Sequence, residues 1–408
     1  MSRRPLVALL SANYLSWFGN AVSLVAVPLY VLEETGSAGQ TGLAGFANTL
    51  PLVFAGAVGG VLVDRFGGRR VGVVSDLLAA VATAAVPLLH GTVGLPLPVL
   101  LALLFGRAVA ATPAGTARLS QLAPLADAAR VRRETANTVH QSAQRLALLL
   151  GPPLAAALVA AVGPAPTLYL DAGCVLLAAL VTLVGVPATA PAAQERLGFA
   201  RQVREGFAFV AATPVIGAIL AVVVVTNFVD DAFAPVLLPV YATEVAHDVR
   251  ALGWLLAAGG LGAVVGTFGY APASRGPLRH RYATFVGCFA VVAALRVVMV
   301  LLPGVPLMAV LAFLVGLASG PLNPLLTTVM QERVPEALHG RVFGLTGAAA
   351  FAAVPVGVLT AGWSVEGVGL RWTLAGFAAV YLVLVAVALR LPALRRLDVH
   401  GADEGARR

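Results

Sequence analysis

The chain contains about twelve apolar runs, each long enough to cross a bilayer as an α-helix. A bilayer core takes about twenty such residues, and few charges interrupt these runs. The predicted spans are Leu6–Leu32, Thr41–Val63, Val71–Leu89, Pro96–Leu119, Ala136–Val162, Pro166–Val186, Pro214–Tyr241, Leu252–Tyr270, Tyr282–Leu302, Pro306–Met330, Val342–Trp363 and Leu370–Leu391. The pattern predicts an all-α membrane protein with twelve transmembrane helices in two six-helix bundles.

Composition supports a surface that faces lipid. Hydrophobic residues make up 59% of the 408 residues and charged residues only 11%, whereas soluble domains carry about 25% charged residues. The first apolar run is too long for the core of a secretion signal, and no suitable cleavage site follows it. We therefore expect it to be the first permanent span, and the lipid bilayer to be the main partner of the chain.

Arginines are distributed unevenly between alternate loops. One set of loops holds nearly all of them, including Arg3, Arg4, Arg65, Arg69, Arg70, Arg118, Arg130, Arg132, Arg133 and the Arg390–Arg408 tail. The other set holds Arg250 and Arg371, beside acidic residues such as Glu33, Glu34 and Glu244. Because basic loops stay on the cytoplasmic side, both termini are predicted to be cytoplasmic and the chain to lie in a bacterial-type inner membrane. The net charge of +8 then reflects membrane orientation, and no nucleic-acid partner is expected.

All 27 basic residues are arginine, and this excludes several enzyme mechanisms. A Walker A loop needs a lysine on the nucleotide phosphates, and Schiff-base chemistry needs a lysine amine. Cys174 and Cys288 lie in separate apolar runs without metal-ligand spacing. The sequence predicts a protein that is not an enzyme and has no cofactor and no metal site. Uphill transport would draw on an ion gradient or on a separate subunit.

The longest internal polar stretch divides the chain into two sets of six spans. The predicted organisation is an N-terminal bundle (1–190), a cytoplasmic linker (191–213), a C-terminal bundle (214–392) and a cytoplasmic tail (393–408). Within the linker, Arg201–Phe209 has the pattern of a short amphipathic helix at the membrane surface. A plain linker is the alternative interpretation.

Polar side chains occur in every third span, namely the first, fourth, seventh and tenth. They are Asn13, Ser16, Asn20 and Ser23; Arg107; Asn227, Asp230 and Asp231; and Ser319, Asn323 and Thr327. Polar groups in hydrocarbon are costly and commonly functional, and repeated triplets of helices are typical of secondary transporters. We expect a shared polar interior that binds a small amphipathic molecule. The candidate cavity residues are Asn13, Ser16, Trp17, Asn20, Asn227, Phe228, Asn323 and Thr327.

Three ionisable residues are candidates for proton coupling. Asp230 and Asp231 are adjacent carboxylates, which repel one another in low dielectric when both are ionised. Arg107 lies near the middle of its span and needs a partner there. The three could couple transport to protons, or the acids could pair with Arg107 or backbone in a structural network, or contact a cationic substrate directly.

Other charged or polar residues receive structural interpretations. Arg296 is expected to extend to the outer interface, and Asp171 to lie near an outer helix end. Asp76 is expected to pair locally with Arg69 or Arg70. His140 is expected to be a polar packing residue, with a proton relay as the alternative.

The second loop carries the most specific motif in the chain. Its sequence, Gly60-Val-Leu-Val-Asp64-Arg65-Phe-Gly67-Gly68-Arg69-Arg70, resembles motif A of the major facilitator superfamily. Glycines allow a sharp turn there, and Asp64 can interact with the positive end of a neighbouring helix. The resemblance implies a conformational latch that holds the two halves in the outward-facing state. Its residues would be Gly60, Asp64, Arg65, Gly67, Arg69, Arg70 and Asp76.

Two further segments extend this resemblance. Arg107 with Gly115 resembles the family's motif B, whose arginine is linked to proton transfer. Ala147-Leu-Leu-Leu-Gly151-Pro152-Pro153-Leu-Ala155-Ala156 in the fifth span is similar to motif C of antiporting exporters, although Ala147, Ala155 and Ala156 replace three glycines. Over about Leu6 to Leu391 the chain resembles the exporter branch that includes macrolide and enterobactin efflux proteins. This implies a monomeric, proton-coupled antiporter whose two bundles rock around a central cavity.

Three rival functions remain at this stage. A proton symporter or facilitator for uptake would share the fold but move the substrate inwards. A membrane sensor or partner subunit would not transport by itself. An integral-membrane enzyme acting on lipid or isoprenoid would need a metal or diphosphate cluster such as an Asp-rich repeat, and the sequence contains none.

Overall fold

The computed structural model describes residues 3–188, 199–274, 276, 278, 280–335 and 338–398. All regular elements formed by these residues are helical. The apolar sequence explains this, because a helix satisfies its own backbone hydrogen bonds inside hydrocarbon, where water is absent.

The helices of the first part of the chain are joined by short loops. They are α1 (Arg4–Thr35), α2 (Ala38–Thr49), α3 (Ala55–Phe66), α4 (Gly68–Thr92), α5 (Leu97–Ala128), α6 (Arg133–Val162) and α7 (Pro164–Gly185). Gly163, with φ of 87°, is the single residue that separates α6 from α7. Glycine adopts positive φ without a steric penalty. One residue is therefore enough to divide the fifth and sixth predicted spans.

The helices of the second part are more often interrupted. They are α8 (Phe199–Ala212), α9 (Pro214–Asp230), α10 (Leu238–Val240), α11 (Arg250–Ala273), α12 (Arg281–Met299), α13 (Val305–Ser319), α14 (Leu322–Arg333), α15 (His339–Val368), α16 (Leu370–Arg390) and α17 (Pro392–Arg395). Two π-helical segments, Phe233–Leu237 and Tyr241–Val245, flank α10. The span that begins with α9 therefore continues beyond Asp230 with wider helical turns.

The helices account for the predicted number of membrane crossings. Among the described residues, eleven helical segments are long and apolar enough to cross a membrane, and the bent pair Ala38–Phe54 and Gly59–Phe66 makes twelve if it forms one span. The sequence-based fold class is confirmed. The second predicted span, Thr41–Val63, coincides with this bent pair, whose two helical segments meet at 57°. A 3₁₀ segment, Leu50–Phe54, contains Pro51, which lacks the N–H needed to continue an α-helix.

Contacts divide the chain into two compact units. Unit 1 comprises Met1–Glu195, Phe233–Ala257 and Val358–Trp363. In it α1 packs against α6 and α7, and α4 packs against α5 and α7. The side chains of Leu6, Leu9, Leu122 and Leu125 form part of its apolar core.

Unit 2 comprises Arg196–Ala232, Ala258–Gly357 and Ser364–Arg408. In it α12 packs against α13 and α16. Phe285 and Phe289 form an edge-to-face ring pair at 4.8 Å, and the Phe289 ring lies 6.1 Å from that of Tyr381. These aromatic contacts fix the part of α12 beside the polar residues described below.

The predicted boundaries of two sequential bundles stay a prediction. A helix does form at Phe199–Ala212, where the linker was expected to contain an amphipathic helix. The preceding part of the linker, 191–198, and the end of the tail, 399–408, lie outside the described residues.

Glycines let α11 and α13 approach closely within unit 2. A Cβ atom at Gly262 would collide with the backbone of Phe313, and one at Gly266 with the backbone of Leu317. Small residues at such crossings allow the helix backbones to make van der Waals contact, which drives association in membranes.

We predict that Gly262→Ala destabilises the protein and that Gly269→Ala does not. The first methyl group forces the α11–α13 crossing apart, at a cost of about 1–3 kcal/mol. Gly269 is on the same helix and has no atom within 4 Å of its Cβ position, so alanine there gains only helix propensity. Thermal unfolding of the two purified variants in detergent would measure the difference. Equal melting temperatures would contradict the close crossing.

Candidate functional site

Arg107 of α5 is the centre of a buried polar cluster in unit 1. Its Nε donates to Thr83 Oγ1 at 3.0 Å, and its Nη2 donates to both Asn20 Oδ1 and Asp171 Oδ2 at 2.8 Å. Ser23 donates a second hydrogen bond to Asp171 Oδ2. We call these five residues the Arg107 cluster; they connect α1, α4, α5 and α7.

Asp171 supplies the counter-charge that Arg107 requires. The aspartate is fully buried and Arg107 is 7% exposed. Asp171 was expected only to lie near an outer helix end, and its ion pair with Arg107 was not predicted. The alternative in which Asp230 or Asp231 pairs with Arg107 is wrong, because Arg107 pairs with Asp171 and Asp230 pairs with Arg296. A count of charges within spans could have indicated this partner, because a buried arginine in hydrocarbon requires an acid nearby.

A second buried ion pair joins α4 to α5. Arg118 Nη2 donates to both carboxylate oxygens of Asp76, at 2.7 and 2.6 Å, and both residues are buried. The expected local pairing of Asp76 with Arg69 or Arg70 is therefore wrong. Arg69 instead donates to the carbonyl oxygen of Leu183. Arg118 lies eleven residues after Arg107 on the same helix, so α5 brings two positive charges into unit 1, each matched by an acid.

Asp230 is the acid of a third polar cluster, which lies in unit 2. Arg296 Nη2 donates to Asp230 Oδ1 at 2.8 Å, and the Tyr381 hydroxyl donates to Asp230 Oδ2 at 2.5 Å. The Arg296 guanidinium also lies 6.0 Å from the centre of the Tyr381 ring. The expectation that Arg296 extends to the outer interface is wrong, because its side chain is 7% exposed and points to Asp230. The sequence did not predict Arg296 or Tyr381 as partners, because neither lies near Asp230 in the chain.

Asp231 differs sharply from its neighbour. Asp231 is exposed. Within the described part of the chain its carboxylate accepts no hydrogen bond and forms no ion pair. Successive residues of a helix point about 100° apart, so only one of two adjacent acids can reach Arg296 and Tyr381. The structure therefore contains one neutralised acid and one free acid at the end of α9.

The clusters of the two units use corresponding helix positions. Asn20 and Asp230 are each the seventeenth residue of their helices, α1 and α9. Thr83 and Arg296 are each the sixteenth residue of α4 and α12. In unit 1 these two positions are neutral and contact a charged pair supplied by other helices. In unit 2 the same two positions form the charged pair themselves.

The remaining candidate cavity residues fall into two groups. Asn13 donates to the carbonyl oxygen of His140 at 3.0 Å, and Asn227 to that of Ala350 at 3.3 Å, so these amides support the backbone. Ser16 is buried. The side chains open to a solute are half-buried or exposed: Trp17, Asn20, Phe228, Asn323 and Thr327.

The motif A-like segment forms the end of α3 and the start of α4. Gly67 separates the helices with φ of 82°, and a Cβ at Gly68 would lie 2.9 Å from the Gln121 side chain. The Arg65 guanidinium lies 5.2 Å from the Phe66 ring centre. Arg65 and Arg70 are exposed, and Gly60 and Asp64 are half-buried. The latch role of this segment stays a prediction.

The Gly151-Pro152 step is a site of close packing in unit 1. A Cβ at Gly151 would lie 2.5 Å from the Cβ of Ala21, and one at Gly253 would lie 2.8 Å from the Pro152 carbonyl oxygen. The step therefore lets α6 contact α1 and the beginning of α11.

The described residues contain no group of three or more His, Cys, Asp or Glu side chains that could hold a metal ion. Within that part of the chain Cys174 and Cys288 are free thiols.

Comparison with known proteins identifies transporters throughout. The model of the Major Facilitator Superfamily matches residues 9–229 and 220–406. The chain is 35% identical to the multidrug efflux pump Tap of Mycolicibacterium fortuitum, covering 97% of this chain and 98% of that protein. It is 25% identical to macrolide efflux protein A of Streptococcus pyogenes (95% and 97% covered) and 31% identical to the enterobactin exporter EntS of Citrobacter koseri (82% and 80% covered).

Solved structures agree in fold. The nucleoside transporter NupG superposes with a TM-score of 0.76 at 13% identity, covering 96% of this chain and 99% of that one. A D-xylose-proton symporter gives 0.74 at 14% identity, with 96% and 99% covered. These matches, all to transporters, confirm the predicted family resemblance, the fold and the prediction that the chain is not an enzyme.

We predict that Asp171→Asn destabilises the protein and that Asp231→Asn does not. The first leaves Arg107 buried without its counter-charge, and breaking a buried pair in this way costs about 3–5 kcal/mol. The second removes a carboxylate that has no partner among the described residues, so stability should be unchanged or higher. Thermal unfolding in detergent compares the two. A stable Asp171→Asn variant would contradict the assignment of the buried pair.

Proposed function

Because the chain belongs to the Major Facilitator Superfamily of membrane transporters, we propose that it is a secondary active transporter that exports a small amphipathic organic molecule or drug in exchange for protons. The observation that carries the export of drugs is the match to a multidrug efflux pump over nearly the full length of both chains. A macrolide efflux protein and an enterobactin exporter match as well.

The free carboxylate of Asp231 is the proposed coupling group. Asp230 is neutralised by Arg296 at 2.8 Å, whereas Asp231 has no fixed cation among the described residues. An unpaired carboxylate at membrane depth is stable when it carries a proton, when water reaches it or when it binds a cation. Competition between a proton and the cargo for this carboxylate would link the export of cargo to the entry of protons.

Asp230 supports Asp231 in this proposal. The Asp230 side chain is 39% exposed, so it is open on one side despite its two partners. Protonation of Asp230 would weaken its hold on Arg296 and Tyr381, which would change the packing of α9 against α12 and α16. We assign Asp230 to the conformational response and Asp231 to proton exchange.

The open side chains favour an amphipathic cargo. Trp17 and Phe228 provide half-buried aromatic surface, and Asn20, Asn323 and Thr327 provide hydrogen-bonding groups. Ligand-binding sites commonly combine apolar surface with a few polar groups that orient the ligand, and an amphipathic cargo would use both kinds of side chain.

The conformational change is proposed to be alternating access. The segment Gly60, Asp64, Arg65, Gly67, Arg69 and Arg70 would stabilise the outward-facing state, with Asp76 holding the base of the segment through Arg118. Gly151 and Pro152 would keep α6 closely packed while the cavity changes its accessibility. The transporter would act as a monomer in the inner membrane, with both termini in the cytoplasm as the arginine distribution indicates.

We predict that Asp231→Asn abolishes uphill export while exchange of substrate across the membrane continues. The amide cannot exchange a proton with water, so the gradient no longer drives the cycle. The measurement uses everted membrane vesicles energised by respiration, with a fluorescent cationic dye such as ethidium. Wild-type vesicles should accumulate dye, and a protonophore should abolish the accumulation. Glu366→Gln, which changes an acid on α15, serves as the matched control.

The same experiment separates the rival functions. Dye leaving energised everted vesicles would indicate uptake by a symporter. Dye transport that is unaffected by the protonophore would indicate a facilitator. Absence of dye transport by the purified protein in liposomes would indicate a sensor or partner subunit. Full uphill activity in Asp231→Asn would reject the carboxylate as the coupling group.

A further inference from the structure

The Arg107 cluster fixes the orientation of one half-buried amide. Arginine has only N–H donors, so the atom of Asn20 that lies 2.8 Å from Arg107 Nη2 is the carbonyl oxygen Oδ1. The amino group Nδ2 then points away from the guanidinium. The donor-only chemistry of the guanidinium therefore fixes the orientation of this amide.

The amino group of Asn20 is available to a solute. Asn20 is half-buried, and no acceptor of the described residues takes a hydrogen bond from Nδ2. The other asparagine of α1, Asn13, is buried, and its amino group donates a hydrogen bond to the His140 carbonyl oxygen. Asn20 is therefore the amide of α1 that offers a free pair of donors.

The Arg107 cluster as a whole offers no net charge. Arg107 and Asp171 cancel one another at 2.8 Å, and Asp171 is fully buried. Gly19 leaves room for the aspartate, since a Cβ there would collide with Asp171 Oδ1. A cargo that reaches this cluster therefore meets the neutral N–H donors of Asn20 beside an ion pair whose carboxylate is buried.

We infer that Arg107 and Asp171 are positioning residues, and that Asn20 Nδ2 is the specificity-determining donor that selects cargo carrying a hydrogen-bond acceptor such as a carbonyl or ether oxygen. The inference rests on the proposed function, because it concerns how that transporter recognises its substrate. Arg107 acts through Asn20 and takes no part in proton coupling. Three of the five N–H groups of its guanidinium are held by Asn20, Thr83 and Asp171.

The test compares two lipophilic cations that differ in acceptors. Rhodamine 6G carries an ester carbonyl, and tetraphenylphosphonium carries no hydrogen-bond acceptor. Asn20→Asp keeps an oxygen for Arg107 but replaces the amino group with a second oxygen. The added negative charge attracts both cations to a similar extent, so its effect cancels in the ratio of their dissociation constants. A change in that ratio then reports the loss of the Asn20 N–H donor. We expect the preference of the purified protein for rhodamine 6G to fall about tenfold, the equivalent of one hydrogen bond.

A second pair of variants separates positioning from folding. In Asp171→Asn the guanidinium is no longer held, so Asn20 loses its fixed orientation and the preference for rhodamine 6G should fall. The double variant Asn20→Asp/Asp171→Asn returns a carboxylate to Arg107. It should regain thermal stability but not the preference. Thr182→Val, which alters another buried side chain of α7, should keep both the thermal stability and the preference for rhodamine 6G.

Two results would overturn the inference: an unchanged preference in Asn20→Asp, or a restored preference in the double variant. Failure of the proposed function would look different, because energised everted vesicles with the wild-type protein would then accumulate neither cation. Loss of preference with intact, protonophore-sensitive export of tetraphenylphosphonium supports both proposals together.

Discussion

The cost of placing charge in hydrocarbon governs how these helices pack. Among the residues that the structure describes, three arginines are buried, and each forms an ion pair with an acid on another helix: Arg107 with Asp171, Arg118 with Asp76 and Arg296 with Asp230. Losing one partner would leave the other buried and uncompensated. Because each bond joins two helices, the same pairs that solve the electrostatic problem also fix which helices are neighbours.

Much of the fold could be predicted from the sequence because membrane insertion depends on local composition. About twenty apolar residues suffice to identify a span, whatever packs against it. The interruptions were harder to predict. Pro51 bends the second span, yet Pro28 lies inside α1, which runs unbroken from Arg4 to Thr35. The effect of a proline depends on whether neighbours satisfy the freed carbonyl group, and that is a property of the tertiary structure.

The candidate site was predicted only in part, for the same reason. Periodicity brought Asn20, Arg107 and Asp230 to attention, but it could not pair them. Asp171 and Arg296 lie 64 and 66 residues from their partners, and both looked like peripheral charges when each span was considered separately. The difference between Asp230 and Asp231 was also hidden, since adjacent residues share every sequence feature except the direction in which the helix points them.

The π-helical turns after Asp231 change the geometry of the remainder of that span. Each wide turn accommodates one additional residue, and one residue corresponds to a rotation of about 100° around the helix axis. Phe233–Leu237 and Tyr241–Val245 therefore shift the phase of the helix twice. A helical wheel drawn with a constant period from Pro214 to Val245 would assign the later side chains to the wrong face. The span has one angular register up to the acidic residues, a second in Leu238–Val240 and a third after the second wide turn, so its surface faces different directions along its length.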